Sequence, residues 1–314
     1  QSMMHLNERY LPAAETQFDF DRMKVFYNMV DSEEFEQYRL SESEILAYKN
    51  SIGISATDFV IGKIARPDLS KWSDLVLDMM PYLIKLIPCI KFIIIGVPKS
   101  RVDRIKKSEF AQYFILLQET SDQQQIHRFY QLIDVLAHAS KIGECNGNTI
   151  NEAMFWRKPV ITNSTPHKDN GQLEQVNHTI DGIIANHPQT FARAVAYLYN
   201  YPEKRKNMGE KGHVKVLARN NPAIMTRRLE KVFIEKMRKE GIFSDLLLEN
   251  FYGKILYYPN KEDIKNYKSE YRKRLEWEFE NLTMSERMVN ALRKPWKVGW
   301  KIVDFLEHRY KIKL

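Results

Sequence analysis

An α/β fold built on a doubly wound parallel sheet is the class this sequence predicts, and three observations predict it. Short continuous runs of β-branched, aliphatic and aromatic residues recur through the middle of the chain, as expected of strands buried on both faces. Segments with apolar residues at helical spacing separate these runs, which is the alternation of βαβ units. Finally, 44% of the 314 residues are apolar, yet no apolar run approaches the length of a membrane span.

The elements follow in order. Residues 75–86 are apolar-rich at helical spacing, and residues 89–96, Cys-Ile-Lys-Phe-Ile-Ile-Ile-Gly, form a continuous run that predicts a central strand ending at a glycine. Residues 114–117 predict a further strand, residues 126–133 a short helix, and residues 134–140 a strand that delivers the chain to Glu144. A helix from near Asn148 to Trp156 and a short buried parallel strand at residues 159–162 complete that unit. Residues 190–199 and 202–217 carry helical periodicity and are expected to be scaffold.

The densest chemistry lies in Glu144-Cys-Asn-Gly-Asn-Thr-Ile-Asn-Glu152. Gly147 and Asn148 suit a strand-to-helix turn where backbone approaches a ligand closely, and a helix starting there directs free amides at an anion such as phosphate. Glu152 would sit about one turn into the helix and Glu144 in the loop before it, so the two carboxylates can reach opposite ends of one ligand. Two glutamates at this spacing are by themselves more often ordinary surface residues, and the flanking sequence carries the functional reading.

The stretch from Glu144 to Thr162 resembles the donor domain of retaining glycosyltransferases of the GT-B fold, family 4 type, which carry two glutamates eight positions apart. The fold implied is a Rossmann-like doubly wound sheet, the C-terminal half of a GT-B enzyme, with extra helices at the C-terminus. Phe59-Val-Ile-Gly62-Lys-Ile-Ala-Arg66-Pro-Asp-Leu-Ser-Lys71-Trp72 is similar to that family's first donor-domain strand and its basic phosphate-binding loop. The family pattern places an arginine directly after the strand-end glycine. This chain has Lys63 there and its arginine three positions later, so the choice between Lys63 and Arg66 stays open. Either cation could neutralise a leaving diphosphate. A Lys63 taken alone is expected to be a solvated surface charge.

The resemblance implies that Arg66, Lys71 and Glu144 are the catalytic residues and that Gly147, Asn148, Thr149 and Glu152 bind the donor. Glu152 would hold ribose hydroxyls, Glu144 the hydroxyls of the donor sugar, and residues 118–121 would lie near the base. The donor implied is a UDP-, GDP- or ADP-sugar, with no cofactor, no metal and no protein nucleophile. Asp169, Asn170 and Gln172 fit a donor or interdomain contact and a polar turn with a helix cap equally well. His138 is expected to be a packed, hydrogen-bonded core histidine, and Cys145 a small packed residue.

No His, Cys and carboxylate spacing predicts a zinc site, and Asp19-Phe-Asp21 mimics a metal motif without the context that would support one. The two cysteines, Cys89 and Cys145, cannot build a disulfide framework. A cytoplasmic protein, possible at the inner face of a membrane as a peripheral component, is the expected setting. Residues 1–54 are read as a tag remnant, Gln1-Ser-Met3, followed by the end of an acceptor domain and a linker. Within them Asn28-Met-Val-Asp31 is similar to the turn that leads into donor domains. Residues 55–240 form the nucleotide-sugar domain and residues 241–314 a helical extension. The N-terminal acceptor domain of the family is missing, and truncation is the favoured reason.

Residues 284–314 contain eight Lys or Arg against three Asp or Glu. Val298, Ile302, Phe305 and Leu306 fall on one helical face, a pattern shared by interfacial helices on anionic lipid and by a helix face that packs on another domain. The formal charge of +8 comes without a nucleic-acid motif or stacking aromatics, so nucleic acid is not an expected partner. The competing reading is a non-catalytic scaffold of the same fold, docking through its C-terminal helices. A pyridoxal phosphorylase lacks its lysine context here, and an epimerase would need other carboxylate and histidine spacing.

Overall fold

The computed structural model describes residues 26–69, 71–165 and 169–241. The expectations placed on Gln1-Ser-Met3, Asp19-Phe-Asp21 and the amphipathic pattern at Val298–Leu306 lie outside the described residues. Two helices, α1 (Ser32–Glu36) and α2 (Glu42–Ser51), precede six strands: β1 (Phe59–Ile64), β2 (Ile90–Ile95), β3 (Phe114–Leu117), β4 (Val135–His138), β5 (Val160–Thr162) and β6 (Gly182–Ile184). Every neighbouring pair is parallel, and the sheet order is β3-β2-β1-β4-β5-β6. The chain therefore winds outward in both directions from β1 and β4. In such sheets ligands bind beyond the carboxyl ends of the strands at this switch point.

The strands read as unbroken apolar runs because both faces are covered. All six residues of β1 are buried. One face packs Phe59, Ile61, Phe92 and Ile94 against α3 (Leu75–Asp78), α4 (Met80–Leu83) and α9 (Pro188–Asn200). The other packs Val60, Ile93, Leu136 and Val160 against α6 (Gln123–Leu132) and α7 (Asn148–Phe155). Burial of this apolar area on two faces is the main source of the fold's stability. Phe35, Ile45, Tyr48 and Ile52 from the N-terminal segment also pack on this second face.

Strand β3 has the predicted bounds, and α7 starts at the predicted Asn148. The expected single helix at residues 75–86 is two short helices joined at Met79, the C-cap of one and N-cap of the next, with Pro81 in the first turn of the second. A proline tolerated at a helix start breaks a longer helix there. Helices α5 (Lys99–Lys106) and α11 (Pro222–Lys239) and strand β6 were not predicted, while α8 (Gln172–Gln175) falls where a polar turn and helix were expected. Helix α10 (Pro202–Arg219) matches the helical pattern seen from residue 202 and packs on α7.

Candidate active site

The loop after β1 and the loop after β4 meet at the switch point. Trp72 forms an isolated antiparallel bridge with Ser140, and the Lys141 amide donates to the Lys71 carbonyl at 3.0 Å. This stitching brings Lys71 Nζ to 3.1 Å from Glu144 Oε2, so two residues 73 positions apart form one ion pair. Arg66 lies in the same loop and is exposed. Residues 118 and 119, expected near a base, are exposed beyond the end of β3, the outermost strand of that side.

The Glu144 loop is held by residues from the following unit. Its amide donates to Gln172 Oε1 at 3.0 Å, and its carbonyl accepts from the Gly171 amide at 2.6 Å. Gln172 Nε2 in turn donates to the Asn163 carbonyl at 3.1 Å and to Thr165 Oγ1 at 2.9 Å. Asn163 exchanges two bonds with the Ser140 backbone, and Asn170 Oδ1 accepts from the Thr165 amide at 3.0 Å. Gln172 and Asn170 are buried, so both position the loop from within. Buried polar groups of this kind fix one geometry because each lost partner is costly.

Helix α7 begins at Gly147, whose φ of 61° and ψ of 65° put it in the left-handed region that glycine enters without penalty. Having no side chain, Gly147 supplies no cap, so the first turn of α7 has no side-chain acceptor from its N-cap. Asn148, Thr149 and Glu152 share one face by their spacing. Asn148 Oδ1 accepts from Asn28 Nδ2 and from Asn146 Nδ2, both at 2.8 Å. The Asn28 carbonyl accepts from Asn220 Nδ2 at 2.7 Å, which ties the segment before α1 to both α7 and the end of α10.

Lys63 and His138 also lie at this site. Lys63 is not a solvated surface charge. It is 2% exposed, donates to the Ala139 carbonyl at 2.8 Å, and lies 5.0 Å from the centre of the Trp72 ring. Burial lowers its pKa to about 8 although Glu144 pulls the other way. The signal was available, since Lys63 lies within a strand whose other positions are all apolar or glycine. His138 is buried as expected, but its ring joins the site. Nδ1 lies 3.3 Å from Thr149 Oγ1, and Nε2 lies 3.5 Å from Glu144 Oε1, within ion-pair range but without a hydrogen bond.

Electrostatics separate the two glutamates. Burial pushes the Glu144 carboxyl up, yet the His138 ring and the Lys71 ammonium outweigh it and hold the pKa down to about 2. Burial keeps the His138 pKa below its usual value, so at neutral pH Lys71 is the charged partner. Glu152 is shifted the other way: burial raises its pKa against the opposing hydrogen bond from Tyr130, which donates to Oε2 at 2.7 Å. Cys145 is exposed rather than packed, and its Sγ meets Asp169 Oδ2 at 2.9 Å. Among the described residues, no group of three His, Cys, Asp or Glu side chains could hold a metal, and no helix is long and apolar enough to cross a membrane.

A six-stranded parallel sheet with a basic loop, two contrasting carboxylates and an open helix N-terminus at its switch point defines a Rossmann-like domain of the GT-B class. Residues 45–215, more than half of the chain, match the family model "Glycosyl transferases group 1", and the chain belongs to that family. Solved structures share the fold. HepE from Anabaena, crystallised with UDP-glucose, is 22% identical with a TM-score of 0.58, over 68% of this chain and 57% of that one. A glycosyltransferase from Rickettsia africae is 20% identical with a TM-score of 0.59, over 69% and 58%. The C-terminal domain of a group 1 glycosyl transferase (LpcC) from Francisella tularensis is 19% identical with a TM-score of 0.52, over 62% of this chain and 99% of that domain. The chain thus spans a little over half the length of the first two and nearly all of the isolated C-terminal domain. No curated protein matches the sequence significantly.

Proposed function

We propose that this chain is the donor-binding half of a glycosyltransferase that moves a sugar from a nucleoside-diphosphate sugar to a glycan or lipid-linked acceptor with retention, as in family 4. The observation that carries this reading is the Glu144 carboxylate, fixed by Lys71 beside the uncapped N-terminus of α7. A diphosphate at that helix end meets the amides of Asn148 and Thr149, the approach allowed by Gly147, and the cations of Arg66 and Lys71. Neutralising the leaving diphosphate is the main catalytic device, and no protein nucleophile is needed. Glu144 takes hydroxyls of the donor sugar and Glu152 those of the ribose. HepE, which shares the fold, was crystallised with UDP and with UDP-glucose, which supports a nucleotide-sugar donor of this kind.

The acceptor would come from a second domain of the GT-B type. The setting is synthesis of cell-surface polysaccharide or glycoconjugate on the cytoplasmic side, peripheral to the inner membrane face. Neither a cofactor nor a metal takes part.

The test is calorimetric titration of the chain with UDP, GDP and ADP, then with the matching sugar nucleotides, in EDTA. Saturable binding of one nucleotide is expected, and Glu152→Ala and Lys71→Ala should each weaken it at least about tenfold, or about 1.4 kcal/mol. A folded protein that binds none of them, or two variants of unchanged affinity, would refute the site and favour a scaffold of the same fold.

A further inference from the structure

We propose that Tyr130 is a positioning residue that aims the Glu152 carboxylate at its ligand, an inference that rests on Glu152 being the ribose-binding group. Tyr130 is on α6 and Glu152 on α7, and their contact is the 2.7 Å bond from the phenol hydroxyl to Oε2. Tyr130 is 0% exposed, and its ring meets Phe129 edge-on at 5.2 Å. Its hydroxyl therefore has one place to be. Glu152 by contrast is half-buried, at the helix turn that follows Asn148 and Thr149.

An ionised carboxylate accepts through two oxygens and donates through neither. With Oε2 anchored by the phenol, Oε1 is the oxygen that remains to meet a ligand hydroxyl, and rotation of the carboxylate about its last torsion is suppressed. That torsion is broad and soft in a free glutamate. A fixed acceptor has already lost the freedom that a floppy one loses on binding, which improves affinity through pre-organisation. The phenol has a second effect. Burial favours the protonated form of Glu152, and the bond from Tyr130 favours the ionised one. Tyr130 thus opposes the effect of burial and favours the purely accepting carboxylate, the state in which a vicinal diol binds best. Neither effect depends on the phosphates, so the device is specific to the ribose end.

The experiment compares UDP, GDP and ADP with their 2′,3′-dideoxy counterparts on the wild-type chain, Tyr130→Phe and Glu152→Ala. Phenylalanine keeps the buried ring and removes the hydroxyl alone. The wild type is expected to prefer the ribonucleotide. Tyr130→Phe should weaken the ribonucleotide about three- to tenfold and leave the dideoxy affinity unchanged. A Tyr130→Phe protein that keeps the wild-type preference while Glu152→Ala loses it would overturn the proposal and leave the function standing. Equal weakening of both nucleotides would also overturn it, because a purely structural tyrosine behaves that way. A wild type without any preference would refute the ribose role of Glu152 and this proposal together. The wild-type Tyr130 ring-carbon NMR resonance gives a reading independent of the variant's folding: it should shift with the ribonucleotide and not with its dideoxy form, and no shift overturns the inference.

Discussion

Replacing Lys63 with methionine should make the protein more stable near neutral pH. Lys63 is fully enclosed, and burial lowers its pKa from 10.5 to about 8. At about 1.4 kcal/mol per pH unit, that fall means the charged amine is disfavoured in the folded state by about 3 kcal/mol. The sign follows from proton counts. Below about pH 8 both states carry the proton and the whole penalty is present. Between about 8 and 10.5 the folded state sheds its proton first, so wild-type stability rises with pH through that window. Methionine fills similar volume without charge. It also loses the bond to the Ala139 carbonyl, about 1 kcal/mol, and the contact with the Trp72 ring, about 0.5–1 kcal/mol. The net gain is about 1–2 kcal/mol, or roughly 2–8 °C in Tm for a domain of this size. Thermal unfolding at about pH 7 and again at about pH 10 is the assay, and the advantage of the variant should shrink at the higher pH. A Lys63→Met protein that melts below the wild type, or a difference indifferent to pH, would refute the argument that the charge is under-compensated.

Further outcomes are expected. Glu144 has a folded pKa depressed to about 2 from 4.5, so its stabilising contribution is present above about pH 4.5 and is lost as pH falls toward 2; Glu144→Gln should flatten the acid limb of a Tm-against-pH curve, by at most about 3 kcal/mol. Gly143→Ala places a Cβ 1.5 Å from the Asp169 carbonyl oxygen at a φ of 77°, and should lower stability by more than the about 1–2 kcal/mol of left-handed strain alone, read by denaturant melts. Gln172→Leu removes three bonds around the Glu144 loop and should cost about 2–4 kcal/mol while also weakening nucleotide-sugar binding in calorimetry.

The parts of this fold that were legible are those coded locally. The run from residue 89 to 96 and the four apolar residues of β3, a half-buried edge strand, read as strands, and Gly147 followed by Asn148 marked the start of α7. Strand β6 was not legible because three residues, Gly182, Ile183 and Ile184, leave no period to read. Helix α5 hides its apolar side behind Lys99, Arg101, Arg104, Lys106 and one buried Ile105. The glutamates could be found by spacing, but their partners could not. Tyr130, Gln172 and Asn28 reach the site from segments 22, 28 and 120 positions away from the groups they bond. Such contacts are set by helix packing on the sheet, which leaves no short-range pattern. Lys63 shows the opposite failing, since its place in an otherwise apolar strand was visible and a general expectation about lysine prevailed.

The single imidazole between Glu144 and Thr149 fixes which way a hydroxyl points. An ionised Glu144 can only accept, so a neutral His138 that carries its one proton on Nε2 turns it toward the carboxylate 3.5 Å away. Nδ1 is then an acceptor, and the Thr149 hydroxyl must turn its own hydrogen inward to meet it. What Thr149 shows to the mouth of the helix is oxygen lone pairs, which repel a phosphate oxygen. Attraction for an anion at that residue would then come from its backbone amide, and the histidine tautomer sets the orientation of the Thr149 hydroxyl.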